Sequence, residues 1–182
     1  HWEEKGAFTG ETSCAMVTGA GGRGALVGHS ERRHVFGETD AETAKKVRAL
    51  FAAGLQPLLC VGEKLEEREA GRTEAVVARQ LDAVLGELPK EEAGTLVIAY
   101  EPVWAIGTGK VAKAADASAV HAFIRTVFAR HGVTARVPIL YGGSVNAGNA
   151  LGLVAEAEID GVLVGGASLE AEGWAEIVGM GG

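Results

Sequence analysis

Leu96-Val-Ile-Ala-Tyr-Glu-Pro-Val-Trp-Ala-Ile-Gly-Thr-Gly-Lys110 decides how the rest of the chain is read. It starts as an unbroken apolar run, which suits a strand buried on both faces of a parallel sheet better than one with a wet face. It ends in a carboxylate, Glu101, followed at once by a proline that stops any helix from continuing. Four further runs share that texture: Ala25–Val27, Pro57–Val61, Val137–Leu140 and Gly161–Val164. Between them lie segments with helical spacing. Asp116–His131 places Val120, Phe123, Ile124, Val127 and Phe128 on one face and stops at Gly132. Thr39-Asp-Ala-Glu42 reads as a capping box opening a helix that carries Val47, Leu50 and Phe51. A third helix is expected from about Thr73 to Leu88, with Val77, Leu81, Val84 and Leu88 on its apolar side. Strand and helix alternating in this way predict one α/β domain with a parallel sheet.

Bulk properties narrow the function classes. The chain has 182 residues, 47% hydrophobic, with a net charge of −7, so sequence-independent binding to nucleic acid or anionic lipid is not expected. Cys14 and Cys60 are far apart and have no metal-like or redox spacing, which fits reduced thiols in a cytoplasmic protein. No apolar run approaches the ~18 residues of a membrane span, and no signal peptide is evident. The histidines show no spacing that suggests a metal site, and His121 and His131 are expected to be partly exposed on the long helix.

Periodicity does not distinguish a closed barrel from an open doubly wound sheet, but in both the functional groups sit at the carboxyl ends of the strands. Those ends carry Gly28-His-Ser-Glu31, Gly62-Glu63, Tyr100-Glu-Pro102, Tyr141-Gly-Gly-Ser144 and Gly165-Gly166. The two glycine pairs follow the last two strands, where barrels commonly bind phosphate; glycine lets an anion approach backbone N–H groups, and Ser144 can add a hydroxyl. Tight turns would use the same residues. Glu101 lies beneath Pro102–Lys110, a loop with a stiff start, an apolar middle and two late glycines, which suits a lid that excludes water over a base. A structural salt bridge would satisfy the same carboxylate. His29 precedes Ser30, which can cap a short helix starting at Glu31; the positive end of that helix disfavours imidazolium and would keep the ring neutral. Arg32 and Arg33 read as a solvated or salt-bridged helix face rather than a phosphate clamp.

Taken together, Gly28–Glu38, Ala99–Gly109, Tyr141-Gly-Gly-Ser-Val145, Asp160–Leu169, Gly6-Ala-Phe-Thr-Gly-Glu11 and Leu59-Cys-Val-Gly-Glu63 resemble the triosephosphate isomerase family, in order and roughly at its spacing. The resemblance implies a TIM (β/α)₈ barrel of which about five βα units, strands four to eight, are present in a single partial domain spanning 1–182. It implies an isomerase of glycolysis and gluconeogenesis that interconverts dihydroxyacetone phosphate and D-glyceraldehyde 3-phosphate without cofactor or metal. Glu101 would be the base and His29 the neutral electrophile, a division of labour for which this family is itself the standard illustration. Glu31 would support them as a neighbouring carboxylate, and Gly107, Ser144, Gly165 and Gly166 would hold phosphate. Residues 1–11 resemble the loop after strand three, with Thr9 near the tip reaching a partner, which implies a homodimer.

The chain departs from the family in two places. The asparagine and lysine that the family carries at its first strand-end have no counterpart here; a full barrel runs to about 250 residues, so on the order of 70 are expected to be lacking at the front. The glycines of Thr18–Gly24 are also expected to weaken the start of the first strand. The other reading these departures allow is a truncated, catalytically silent, phosphate-binding barrel remnant.

Overall fold

The computed structural model describes residues 1–106 and 112–179. The first thirteen residues are irregular and staple themselves. The His1 ring stacks on Trp2 and Phe8 at 4.1 and 3.7 Å, and the terminal ammonium donates to the Thr12 carbonyl at 2.6 Å. Helix α1 (Cys14–Gly19) leads into β1 (Gly24–Val27); α2 (Ser30–His34) and α3 (Asp40–Ala52) follow. Then come β2 (Gln56–Val61), α4 (Leu65–Glu69), α5 (Thr73–Leu85), α6 (Lys90–Ala93) and β3 (Val97–Tyr100). After a short 3₁₀ turn at Val103–Ala105, α7 (Ala114–Arg130), β4 (Ile139–Tyr141), α8 (Ala147–Val154), β5 (Gly161–Val162), a second 3₁₀ turn at Gly166–Leu169 and α9 (Ala171–Gly179) complete the described chain.

The five strands are parallel and lie in chain order, β1-β2-β3-β4-β5. This settles what periodicity left open. A doubly wound sheet reverses its strand order and carries helices on both faces, whereas same-handed crossovers that never reverse put every helix on one face. Helices α3, α5 and α7 accordingly pack side by side, and α8 packs on α9. The result is an arc of a (β/α) barrel made of five units.

Pairing register separates the two faces. Val27, Leu59, Val61, Ile98, Tyr100, Ile139 and Tyr141 share the face beneath the helices and are all buried. On the other face Leu26 pairs beside Leu58, Cys60 beside Ala99 and Ala99 beside Leu140; here Leu26 at the edge is 51% exposed. Alternation puts Glu101, one residue past Tyr100, on this second face at its carboxyl mouth.

The helices form for the reasons their sequences suggest. The Thr39 side chain accepts from the Glu42 N–H while the Glu42 carboxylate accepts from the Thr39 N–H, a complete capping box. Helix α5 buries Val77, Leu81, Val84 and Leu85, and Gly132 follows α7 at φ +74°. One expectation fails on α7. His121 is fully buried rather than partly exposed, because Ala117, His121, Ile124 and Phe128 form a continuous i, i+4, i+7, i+11 stripe against the sheet. Its Nδ1 lies 3.2 Å from the Glu158 carbonyl, its ring meets Tyr100 edge-on, and its Nε2 has no hydrogen-bond partner among the described residues. His131 is partly exposed, as expected, and pairs with Asp82 at 2.8 Å.

Candidate active site

Glu101 is 2% exposed, yet its carboxylate is fully engaged. Oε1 lies 2.9 Å from His29 Nε2, and Oε2 accepts the Ser30 N–H at 3.0 Å. The two residues singled out at the ends of β1 and β3 are therefore in direct contact across the sheet mouth. They line a cleft of about 430 Å³ with Leu26, Ser144, Gly165 and Gly166.

The His29 ring is oriented from both sides. Helix α2 begins at Ser30, one residue earlier than the sequence suggested, and His29 rather than Ser30 caps it: Nδ1 accepts the Glu31 N–H at 3.3 Å. An Nδ1 that accepts is unprotonated, so this geometry selects the tautomer with its proton on Nε2, donated to Glu101. Against this, the hydrogen bond that His29 donates to Glu101 raises the His29 pKa above its ordinary value, with burial opposing and the Glu101 and Glu31 charges assisting. With Glu101 alongside, the imidazolium is thus better tolerated than the helix terminus alone would suggest. Glu31 is exposed and acts on His29 through its backbone N–H and its charge; among the described residues its carboxylate makes no ion pair.

The strand end that carries Glu101 is built around a second buried carboxylate, Glu63, which sequence reasoning quoted without assigning a task. Glu63 accepts from the Tyr100 hydroxyl at 3.1 and 3.2 Å and from the Trp104 indole at 3.0 Å, with Arg68 at 3.7 Å. Arg68 also lies over the Trp104 ring at 4.7 Å. The start of the loop after Glu101 is thereby gripped on both sides of its indole. Gln80 holds the Gly62 peptide, accepting its N–H at 2.8 Å and donating to its carbonyl at 3.1 Å. The signal for Glu63 resembles that for Glu101: a carboxylate at the carboxyl end of an apolar strand, here one glycine beyond it.

The glycine pairs divide into two kinds. At Gly142 a Cβ would meet Glu101 Cγ at 2.9 Å, and at Gly143 it would strike the Tyr141 hydroxyl, so packing already demands glycine there. At Gly165 and Gly166 a Cβ would meet nothing within 4 Å. Their backbone borders open cleft, which is what close approach by a ligand needs. Ser144 sits between the pairs, but its hydroxyl donates to the Ala105 carbonyl at 2.6 Å, tying the loop base to the β4 end. Gly107 lies outside the described residues. Thr9 is exposed, one residue before Gly10 at φ +89°.

Arg32 and Arg33 are salt-bridged, as one side of the sequence reading had it, and neither faces the cleft. Arg32 reaches Glu11 and Glu38, while Arg33 is only 6% exposed and pairs with Asp40. Glu38 lies in a second cavity at the β1 edge with Lys46 and Arg32; burial pushes its carboxyl up, but those two cations hold it below the usual carboxylate range. Among the described residues no group of three or more side chains could hold a metal, and no helix is long and apolar enough to cross a membrane.

Comparison with known proteins gives the family. The triosephosphate isomerase family model matches residues 1–180. The triosephosphate isomerase of Ralstonia nicotianae is 56% identical over 172 residues, covering 93% of this chain and 69% of that protein. Those of Endomicrobium trichonymphae and Pelobacter propionicus are 52% and 50% identical, covering 97% and 100% of this chain and 71% and 73% of theirs. With a parallel five-strand arc, a histidine–glutamate contact at its mouth and this match along nearly its whole length, the chain belongs to the triosephosphate isomerase family.

Proposed function

We propose that the chain is the His29- and Glu101-bearing part of an enzyme that interconverts dihydroxyacetone phosphate and D-glyceraldehyde 3-phosphate. The observation that carries this reading is the bridging of His29 Nε2 and the Ser30 N–H by one buried carboxylate at the rim of an open cleft. In the reaction Glu101 takes a proton from the carbon beside the substrate carbonyl, and the C–H electron pair moves to form an enediolate. His29 donates its Nε2 hydrogen bond to the carbonyl oxygen where negative charge develops. His29 gives its Nε2 proton to that oxygen and takes the proton of the neighbouring hydroxyl, whose oxygen becomes the new carbonyl; return of the first proton from Glu101 to the neighbouring carbon completes the exchange, with no net redox change.

His29 Nε2 faces either Glu101 or a substrate oxygen. The described arrangement is therefore a resting one, which substrate replaces by displacing the carboxylate. The Gly165 and Gly166 amides, with Ser144 and Gly107, would receive the phosphate. Glu31 would assist through His29. Residues 1–11, with Thr9 exposed, would meet a second copy in a homodimer, and the setting would be glycolysis and gluconeogenesis in the cytoplasm.

Isomerase activity on glyceraldehyde 3-phosphate tests the assignment, with Glu101→Gln as the comparator. Loss of a general base should cost on the order of 10²–10⁴-fold in kcat. Unchanged turnover in Glu101→Gln refutes the role of Glu101. Absence of turnover, together with substrate-dependent shifts of the Gly165 and Gly166 amide resonances, favours the silent phosphate-binding alternative. The intact contact between His29 and Glu101 speaks for the enzyme, because phosphate binding alone gives no reason to keep it.

A further inference from the structure

Arg33 makes contacts that no surface salt bridge requires. Its guanidinium is almost completely buried and spreads its nitrogens over three elements. Nε donates to the Gly28 carbonyl at 2.6 Å, one NH group to Asp40 Oδ1 at 2.6 Å, and the other to the Cys60 carbonyl at 3.2 Å. It thus ties the end of β1 to β2 and to the first residue of α3. Gly28 is the residue immediately before His29 and adopts φ +71°. Its N–H is held from the opposite side by the Glu38 carboxylate at 3.1 Å. A Cβ at Gly28 would come within 2.6 Å of the Arg33 guanidinium, so the glycine and the arginine fit only as a pair.

This turn presents both groups that hold Glu101: the His29 ring and the Ser30 N–H are the next two donors along the chain. A flat guanidinium has the geometry to fix two carbonyls and a carboxylate at once, which an ammonium lacks. We propose that Arg33 is a positioning residue of the His29 and Glu101 pair, locking the β1 turn so that His29 Nε2 and the Ser30 N–H converge on one carboxylate. The inference rests on that pair acting together, as proposed above. Arg33 touches neither the cleft nor any reacting atom, so its effect passes through the Gly28 carbonyl.

The test is the titration midpoint of the His29 imidazole, followed by ¹H–¹⁵N correlation spectroscopy on the whole chain; it does not require turnover. Glu101 raises this midpoint, so it reports the distance between the two side chains. Charge and position predict opposite signs. Deleting a cation near an imidazole raises the midpoint, whereas loosening its contact with a carboxylate lowers it. In Arg33→Lys, which keeps the charge, and in Arg33→Gln, which removes it, the midpoint should fall by about half a pH unit or more towards that of Glu101→Gln. Should these variants not fold, Asp40→Glu keeps every charge, displaces one arm of the guanidinium, and should lower the midpoint by a smaller amount. A midpoint that rises in Arg33→Gln, or stays at the wild-type value in Arg33→Lys or Asp40→Glu while Glu101→Gln shifts it, overturns the inference. If Glu101→Gln itself leaves His29 unmoved, the pair and not the positioning residue is refuted.

Discussion

Acidification should destabilise the fold through His121. Burial holds this imidazole neutral, with a pKa of about 4 against an ordinary 6.5. The Glu158 carbonyl and the Asp160 and Glu158 charges favour protonation, Arg125 opposes it, and burial outweighs them. Below 6.5 the unfolded chain binds a proton that the folded chain refuses until about pH 4. The unfolded state therefore holds more protons throughout that window, and stability falls as pH falls through it. Above 6.5 the group costs nothing. At about 1.4 kcal/mol per pH unit the full penalty is roughly 3 kcal/mol, of which about 2 is present at pH 5. Asp160 and Glu38 are held below their ordinary carboxyl values by their cationic partners, so as pH falls their contribution is lost later than that of an ordinary carboxylate. His29 acts in the opposite direction, because a raised midpoint adds stability as pH falls. The assay is urea unfolding at pH 7.5 and pH 5.0 in the wild type and in His121→Gln, whose amide can still donate to the Glu158 carbonyl. The pH-dependent loss should shrink by about 2 kcal/mol in the variant. Equal losses in both proteins would refute the reasoning.

Three other perturbations bear on the site and its support. Glu63→Ala strands the buried Tyr100 hydroxyl and removes the carboxylate that accepts the Trp104 indole N–H; it should cost about 2–3 kcal/mol, read by urea unfolding, and shift Trp104 emission in a Trp2→Phe, Trp174→Phe background. Gly142→Ala inserts a methyl against Glu101 Cγ, so it should destabilise by about 1–3 kcal/mol and move the His29 midpoint, while Gly166→Ala, which meets no atom, should do neither. Thr39→Ala removes one half of the α3 capping box and should cost about 1 kcal/mol in thermal or urea unfolding without altering His29.

The elements were legible because each follows a local rule. Five continuous apolar runs gave five strands, and Thr39 with Glu42 announced a helix start. Strand order was not legible from periodicity, since the same pattern serves doubly wound sheets and barrels; only pairing in space separates them. The site was legible wherever a polar residue interrupts an apolar strand end, as at His29 and Glu101. His121 departs from expectation because position outweighs residue type: its spacing from Ala117 and Ile124 puts it on the buried stripe. Arg33 and the cap on α2 were hidden for a different reason. Whether a guanidinium faces water or three carbonyl and carboxylate oxygens depends on where β2 and α3 lie, and no neighbour in sequence reports that.

The docked position of Glu101 also has a thermodynamic side. A buried carboxylate holding two donors is a satisfied group rather than a strained one waiting for relief. Under the proposed mechanism, substrate competes with that internal ligand for the same imidazole proton. Every ~1.4 kcal/mol by which the docked state is preferred lowers apparent affinity about tenfold. Changes that loosen the dock would tighten binding of the empty enzyme to substrate while surrendering the alignment that makes binding productive. On the proposed mechanism the contact between His29 and Glu101 is thus a set-point for affinity as well as for alignment.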